Sequence, residues 1–134
     1  MRIKPFPEPD WFVARGLCHQ SLGSHALALA DFESAIKHSP SNKAAWFNKA
    51  MTHNLLEHWE DAHRAATKRI EQGPQGDSFV ARAMFERGTA AAKLSWVVEA
   101  AENFQHACDG GYEPGCAARD ATEQELRRNT KDEV

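Results

Sequence analysis

The sequence predicts an all-α solenoid: three stacked helix–turn–helix units closed by a final capping helix. Three observations carry that prediction. The chain matches itself at one fixed offset, small residues fall on small residues under that offset, and proline or glycine ends each unit. A shift of 34 residues aligns Gly16 with Ala50, His19 with His53, Leu22 with Leu56, Ala28 with Ala62, Ile36 with Ile70 and Pro40 with Pro74. A further shift of 38 carries Ala50 to Gly88, Leu56 to Leu94 and Ala62 to Ala100, and Phe32 and Ala35 are echoed at Phe104 and Ala107.

The elements follow in order. Residues 1–8 form an N-terminal extension, and three units follow over about 9–42, 43–76 and 77–114. Asp10 is placed to cap a first helix over about 11–21, Gly23 marks the turn, and a second helix runs over about 24–38 until Pro40 stops it. In the second unit Ser41 or Asn42 caps "KAAWFNKAMTHNLL", and "HWEDAHRAATKRIEQ" follows before Gly73 and Pro74. In the third, Asp77 or Ser78 caps "FVARAMFERGTAAAKL", and "SWVVEAAENFQHAC" runs to Gly110 and Gly111. The loop "GPQGDS" holds the four extra residues of the longer spacing. Residues 115–134 read as a capping helix to about residue 128, with Ala117, Ala121 and Leu126 on its apolar side, then a charged, frayed tail.

Packing gives the pattern its reason. Two antiparallel helices approach closely only where a small residue permits, so Gly16, Ala50 and Gly88 are expected to meet Ala28, Ala62 and Ala100. Larger side chains then fill the space around each crossing. A single unit leaves an apolar face uncovered, and stacking three buries a continuous core.

These residues resemble the tetratricopeptide repeat family, whose signature is a 34-residue helix–turn–helix. The match lies in an aromatic early in the first helix (Phe12, Trp46), a small residue after it (Gly16, Ala50, Gly88), and the ending "ADFESAIKHSP". It covers about residues 9–114 and implies a right-handed α-α superhelix whose first helices line a concave wall. Ala66 and Arg69, Met84 and Tyr112, and the insertion depart from the pattern. The segment "ACDGGYEPGCA" also resembles a Sel1-like repeat, in which a Cys-x7-Cys pair bridges neighbouring helices in some members. Cys108 and Cys116 have that spacing, yet reduced packing thiols are the expectation, because "MRIKPFPEPDW" lacks the apolar core of a signal peptide and places the protein in a reducing cytoplasm.

Composition narrows function. Hydrophobic residues at 42% and charged residues at 26% fit a folded domain, and a net charge of −3 argues against a nucleic-acid partner. No apolar run is long enough to span a membrane. No nucleophile motif, phosphate loop or Cys/His cluster of metal spacing is present, so no catalytic residue, metal or cofactor is expected. His53, His58 and His63 are spaced by five, which scatters them around a helix and across a turn, whereas a metal pair on one helix face needs three or four. Packing between units is the role expected of His19 and His53.

The family's geometry turns a defined set of side chains into the groove: Val13, Leu17 and Gln20, then Phe47, Asn48, Met51 and Asn54, then Arg82, Phe85, Glu86 and Lys93. An apolar strip with scattered hydrogen-bonding groups suits a peptide or helix of a partner protein. Some family members clamp a chaperone's C-terminal carboxylate. Asn48 and Arg82 match that clamp, but Val13 and Leu17 replace its lysine and asparagine, and Glu86 its arginine, so this specialisation is not expected. The expected function is therefore a non-catalytic interaction module or adaptor. The alternatives are a secretion-type chaperone holding an export substrate and a scaffold that self-assembles through its terminal helices. The groove's competing occupants are the chain's own "KPFPEP" and a second copy. A charge at Phe47 or Phe85 is expected to abolish binding with melting nearly unchanged.

Overall fold

The computed structural model describes residues 8–132, and these described residues form seven helices that run antiparallel in succession. They are α1 (Pro9–Ser21), α2 (His25–His38), α3 (Lys43–Leu55), α4 (Trp59–Gln72), α5 (Ser78–Lys93), α6 (Val97–Asp109) and α7 (Glu113–Asp132). No strand occurs among the described residues. Each helix packs on the next, and α1 also touches α3 and α3 touches α5, so the first helices of the three units form one continuous wall.

Local chemistry sets the helix ends. Asn42 caps α3, its Oδ1 accepting from the Ala45 N–H at 3.0 Å, and Asp77 caps α5, accepting from the Phe79 N–H at 2.8 Å. Asp10 does not cap α1 as expected. Pro9 already stands at the first helical position, where its missing N–H costs no hydrogen bond, which puts Glu8 at the N-cap and Asp10 in the first turn. Within every unit one turn recurs: its third residue (Gly23, Glu57, Ser95) has positive φ, and the next residue's N–H donates five residues back, Ser24 to His19, His58 to His53 and Trp96 to Ala91.

Size complementarity organises the three crossings. A β-carbon at Gly16 would stand 2.6 Å from the Phe32 ring, and one at Gly88 2.7 Å from the Phe104 ring. The glycines therefore receive an aromatic edge, rather than Ala28 or Ala100 as expected. The second unit exchanges both partners at once: Ala50 replaces glycine, Ala66 replaces phenylalanine, and the two pack with Ala65 under Trp46. So Ala66 is a compensated departure from the repeat.

Arg69 is a second departure with a cause. It occupies the place of Ala35 and Ala107, is buried, and its Nη1 donates to the Gly73 carbonyl at 2.9 Å while Nη2 reaches Asp77 at 3.2 Å. The insertion loop is thereby tied to the end of α4.

Three expectations are corrected at the C-terminal end. Cys108 and Cys116 form a disulfide with Cα atoms 4.7 Å apart, where reduced thiols were expected; the tight turn at Gly110 and Gly111 brings α6 and α7 within bonding range. The packed face of α7 carries Gly115, Ala118 and Thr122, while Ala117 and Ala121 are exposed. Helix α7 also continues through Asp132 instead of fraying near residue 128.

Candidate functional site

The wall formed by α1, α3 and α5 carries an open cavity of about 490 Å³. Its apolar lining is Leu17 from α1, Phe47 and Met51 from α3, and Phe79 from α5. Phe47 meets Phe79 edge-on, with ring centroids 6.0 Å apart. Lys43, Asn48 and Arg82 supply polar lining, together with the Arg69–Asp77 pair. The Arg82 guanidinium lies 5.0 Å from the Phe47 ring centroid and 5.8 Å from that of Tyr112, so both rings hold it beside the apolar floor.

Five of the sequence-derived groove residues meet at this cavity: Leu17, Phe47, Asn48, Met51 and Arg82. Their burial differs. Leu17 is 41% exposed, but Phe47 is only 5% exposed and packs on Ile70, Val80 and Ala83. A charge at Phe47 would therefore break the core, which corrects the expectation that such a variant melts normally. Asn48 is nearly buried and its Nδ2 donates to the Ala44 carbonyl at 2.9 Å, so one of its two amide N–H groups is engaged within its own helix.

The other six lie elsewhere. Val13 is core, packed with Ala28 and Phe32. Gln20 is half-buried beyond the cavity lining. Phe85 is half-buried between Phe104 and Tyr112, with ring centroids 5.6 and 5.1 Å away. Lys93 is exposed at the far end of α5, its ammonium 5.7 Å from the Trp59 ring at the start of α4. Asn54 and Glu86 join α3 to α5: the Asn54 Nδ2 donates to the Glu86 carboxylate at 2.7 Å and to its backbone carbonyl at 3.0 Å. Burial pushes the Glu86 carboxyl up, against the Asn54 hydrogen bond and the Arg82 charge.

Sequence reasoning missed Lys43 and Phe79. Each lies one helical turn from a residue it did find, Lys43 four before Phe47 and Phe79 three before Arg82, and that spacing was the available signal. The "KPFPEP" occupant falls largely on residues 1–7, outside the described residues.

The histidine reading also changes. His53 and His58 are not scattered: the α3–α4 turn folds the chain back, and their Nδ1 atoms lie 3.2 Å apart, with a carboxylate oxygen of Asp61 beside them. Spacing rules for one helix face do not hold across a turn. Burial pulls the His53 imidazole below its ordinary value, with Asp61 opposing and Lys49 and His58 adding to the shift. The equivalent His19 instead faces Asp31, which Arg15 holds through contacts of 2.6 and 2.9 Å.

A second hollow, about 570 Å³, lies between α3 and α4 and is ringed by charge, including Lys49, Asp61, Arg64, Lys68 and Glu71. No described helix is long and apolar enough to cross a membrane.

No protein-family model matches the sequence, and no curated protein matches it. Solved structures do share the fold. The TPR domain of Sgt2 from Aspergillus fumigatus superimposes with a TM-score of 0.83 at 18% identity, over 95% of this chain and 84% of that one. The N-terminal domain of stress-induced protein-1 from C. elegans gives 0.74 at 19% identity, over 87% and 92%. The TPR domain of Arabidopsis OM64 gives 0.75 at 24% identity, over 90% and 95%.

Proposed function

We propose that this chain, which has the tetratricopeptide-repeat fold, is a non-catalytic adaptor that holds a segment of a partner protein against its inner wall. The observation that carries this reading is the cavity itself: an apolar floor of Leu17, Phe47, Met51 and Phe79 with cationic groups beside it. Arg69 pairs with Asp77, and Lys43 and Arg82 line the same cavity as further cations, in the fields of Asp77 and Glu86 respectively. The preferred segment is therefore amphipathic, with one large apolar side chain for the floor and an acidic group within reach of Arg82.

Leu17 and Phe79 provide the test, because they line the cavity yet are 41% and 51% exposed. A displayed peptide library panned on the wild-type chain is expected to enrich short segments pairing an apolar anchor with Asp or Glu. The Leu17→Glu/Phe79→Glu variant should keep its helical circular dichroism and bind the enriched peptides at least about tenfold more weakly, a difference of about 1.4 kcal/mol. Equal binding by a folded double variant removes the groove from the account.

A further inference from the structure

The turn between α3 and α4 gathers three side chains that the groove does not use. His53 sits near the end of α3, His58 is the N-cap of α4 and Asp61 lies in its first turn. The His58 N–H donates to the His53 carbonyl at 2.8 Å, and Glu57 between them adopts φ 61°, so the backbone itself turns one ring towards the other. Their Nδ1 atoms are 3.2 Å apart, and with a carboxylate oxygen of Asp61 the three ligand atoms lie within 4.8 Å of one another.

That spacing is the spacing of metal ligands. Two nitrogens bound tetrahedrally at about 2.0–2.1 Å from a zinc ion stand roughly 3.3 Å apart. The two imidazole nitrogens already stand at that separation, 3.2 Å, and a small turn of the rings would converge their lone pairs, while the carboxylate must close by on the order of 1 Å. Without an ion, two neutral rings facing each other through Nδ1 can share only one proton between them; an ion engages both lone pairs. We propose that His53, His58 and Asp61 bind Zn2+, or a transition ion of similar ligand preference, with water completing the tetrahedron.

The donor set supports that choice over other cations. Two imidazoles and one carboxylate suit zinc, whereas calcium and magnesium take oxygen ligands. Access is open, because His58 is exposed while His53 is buried at 5%. Arg64 holds Oδ1 of the Asp61 carboxylate, which restrains its orientation, and a carboxylate has a second oxygen to offer an ion. The nearby Lys49 ammonium is 4.0 Å from Glu33, which offsets its charge. A bound ion would staple α3 to α4 across the turn of the central unit and stabilise the folded chain by mass action.

Calorimetric titration of the whole chain with zinc chloride tests this, with Co2+ absorption reporting coordination. The expected result is one ion per chain, Co2+ bands of a four-coordinate site, and a melting temperature that rises with Zn2+. His58→Ala and Asp61→Asn should each weaken binding by about tenfold or more and abolish that rise, with unchanged circular dichroism. His63→Ala and Cys18→Ser, which remove another histidine and the exposed free thiol, should bind as the wild type does. An ion-free wild type, or full binding retained by His58→Ala, overturns the proposal.

Discussion

A methyl group at Gly16 would press into the Phe32 ring, and one at Gly88 into that of Phe104. Both rings are buried and have little room to retreat. Gly16→Ala and Gly88→Ala should each destabilise by roughly 1–3 kcal/mol in urea unfolding, the usual cost of overpacking. The central unit shows the remedy, since Ala50 is tolerated where Ala66 stands in for phenylalanine. Gly16→Ala combined with Phe32→Ala should therefore cost less than the two single losses added together, with a coupling of about 0.5–3 kcal/mol; strict additivity would contradict the size-complementary crossing. Glu86 gives a prediction with a sign. Burial raises its folded-state pKa, so the folded chain holds the proton more tightly than the unfolded chain. The stability this brings is complete below the unfolded carboxylate pKa and is lost as pH rises through the raised folded value. Glu86→Gln, which keeps an acceptor for Asn54, should gain stability relative to the wild type as pH climbs from about 4 to 7, measured by thermal melts across that range. A gap that narrows over that window would be the wrong sign.

Among the elements, the insertion loop shows why a departure from a repeat need not weaken it. Arg69 looks like a defect in the pattern because an alanine belongs there, but its guanidinium bonds to the Gly73 carbonyl and pairs with Asp77, the cap of α5. Arg69→Met should leave the part-buried Gly73 carbonyl and one side of the Asp77 carboxylate without the guanidinium and cost about 1.5–3 kcal/mol, with the loop as the first segment to lose hydrogen-exchange protection. Helix order, turns and two of the caps were legible in the sequence, since proline, glycine, Asn42 and Asp77 act locally. The packed face of α7 was not. Gly115, Ala118 and Thr122 are small or polar, so no apolar stripe marks them, and the more conspicuous alanines at 117 and 121 face solvent. The pairing of His53 with His58 was hidden for a related reason: it depends on a turn with Glu57 in a left-handed conformation that few non-glycine residues adopt.

At the level of the whole molecule, periodicity made the solenoid legible, because each unit must repeat the same contacts to bury its apolar face. The inner wall was legible in part. Family geometry brought Leu17, Phe47, Asn48, Met51 and Arg82 to one cavity, but it carries no information on depth, and Phe47 and Val13 turn out to belong to the core. Lys43, Phe79 and the Arg69–Asp77 pair required three dimensions, since the loop that places the last two has no counterpart in the other units. The central claim is that partners dock on the α1–α3–α5 wall. Titrating a library-selected peptide into the isotopically labelled chain and following backbone amide NMR shifts tests it most directly. The account predicts the largest shifts around Leu17, Lys43, Met51, Phe79 and Arg82, with α4 and α7 little changed; shifts centred on the outer face of α4 or on α7 would contradict it.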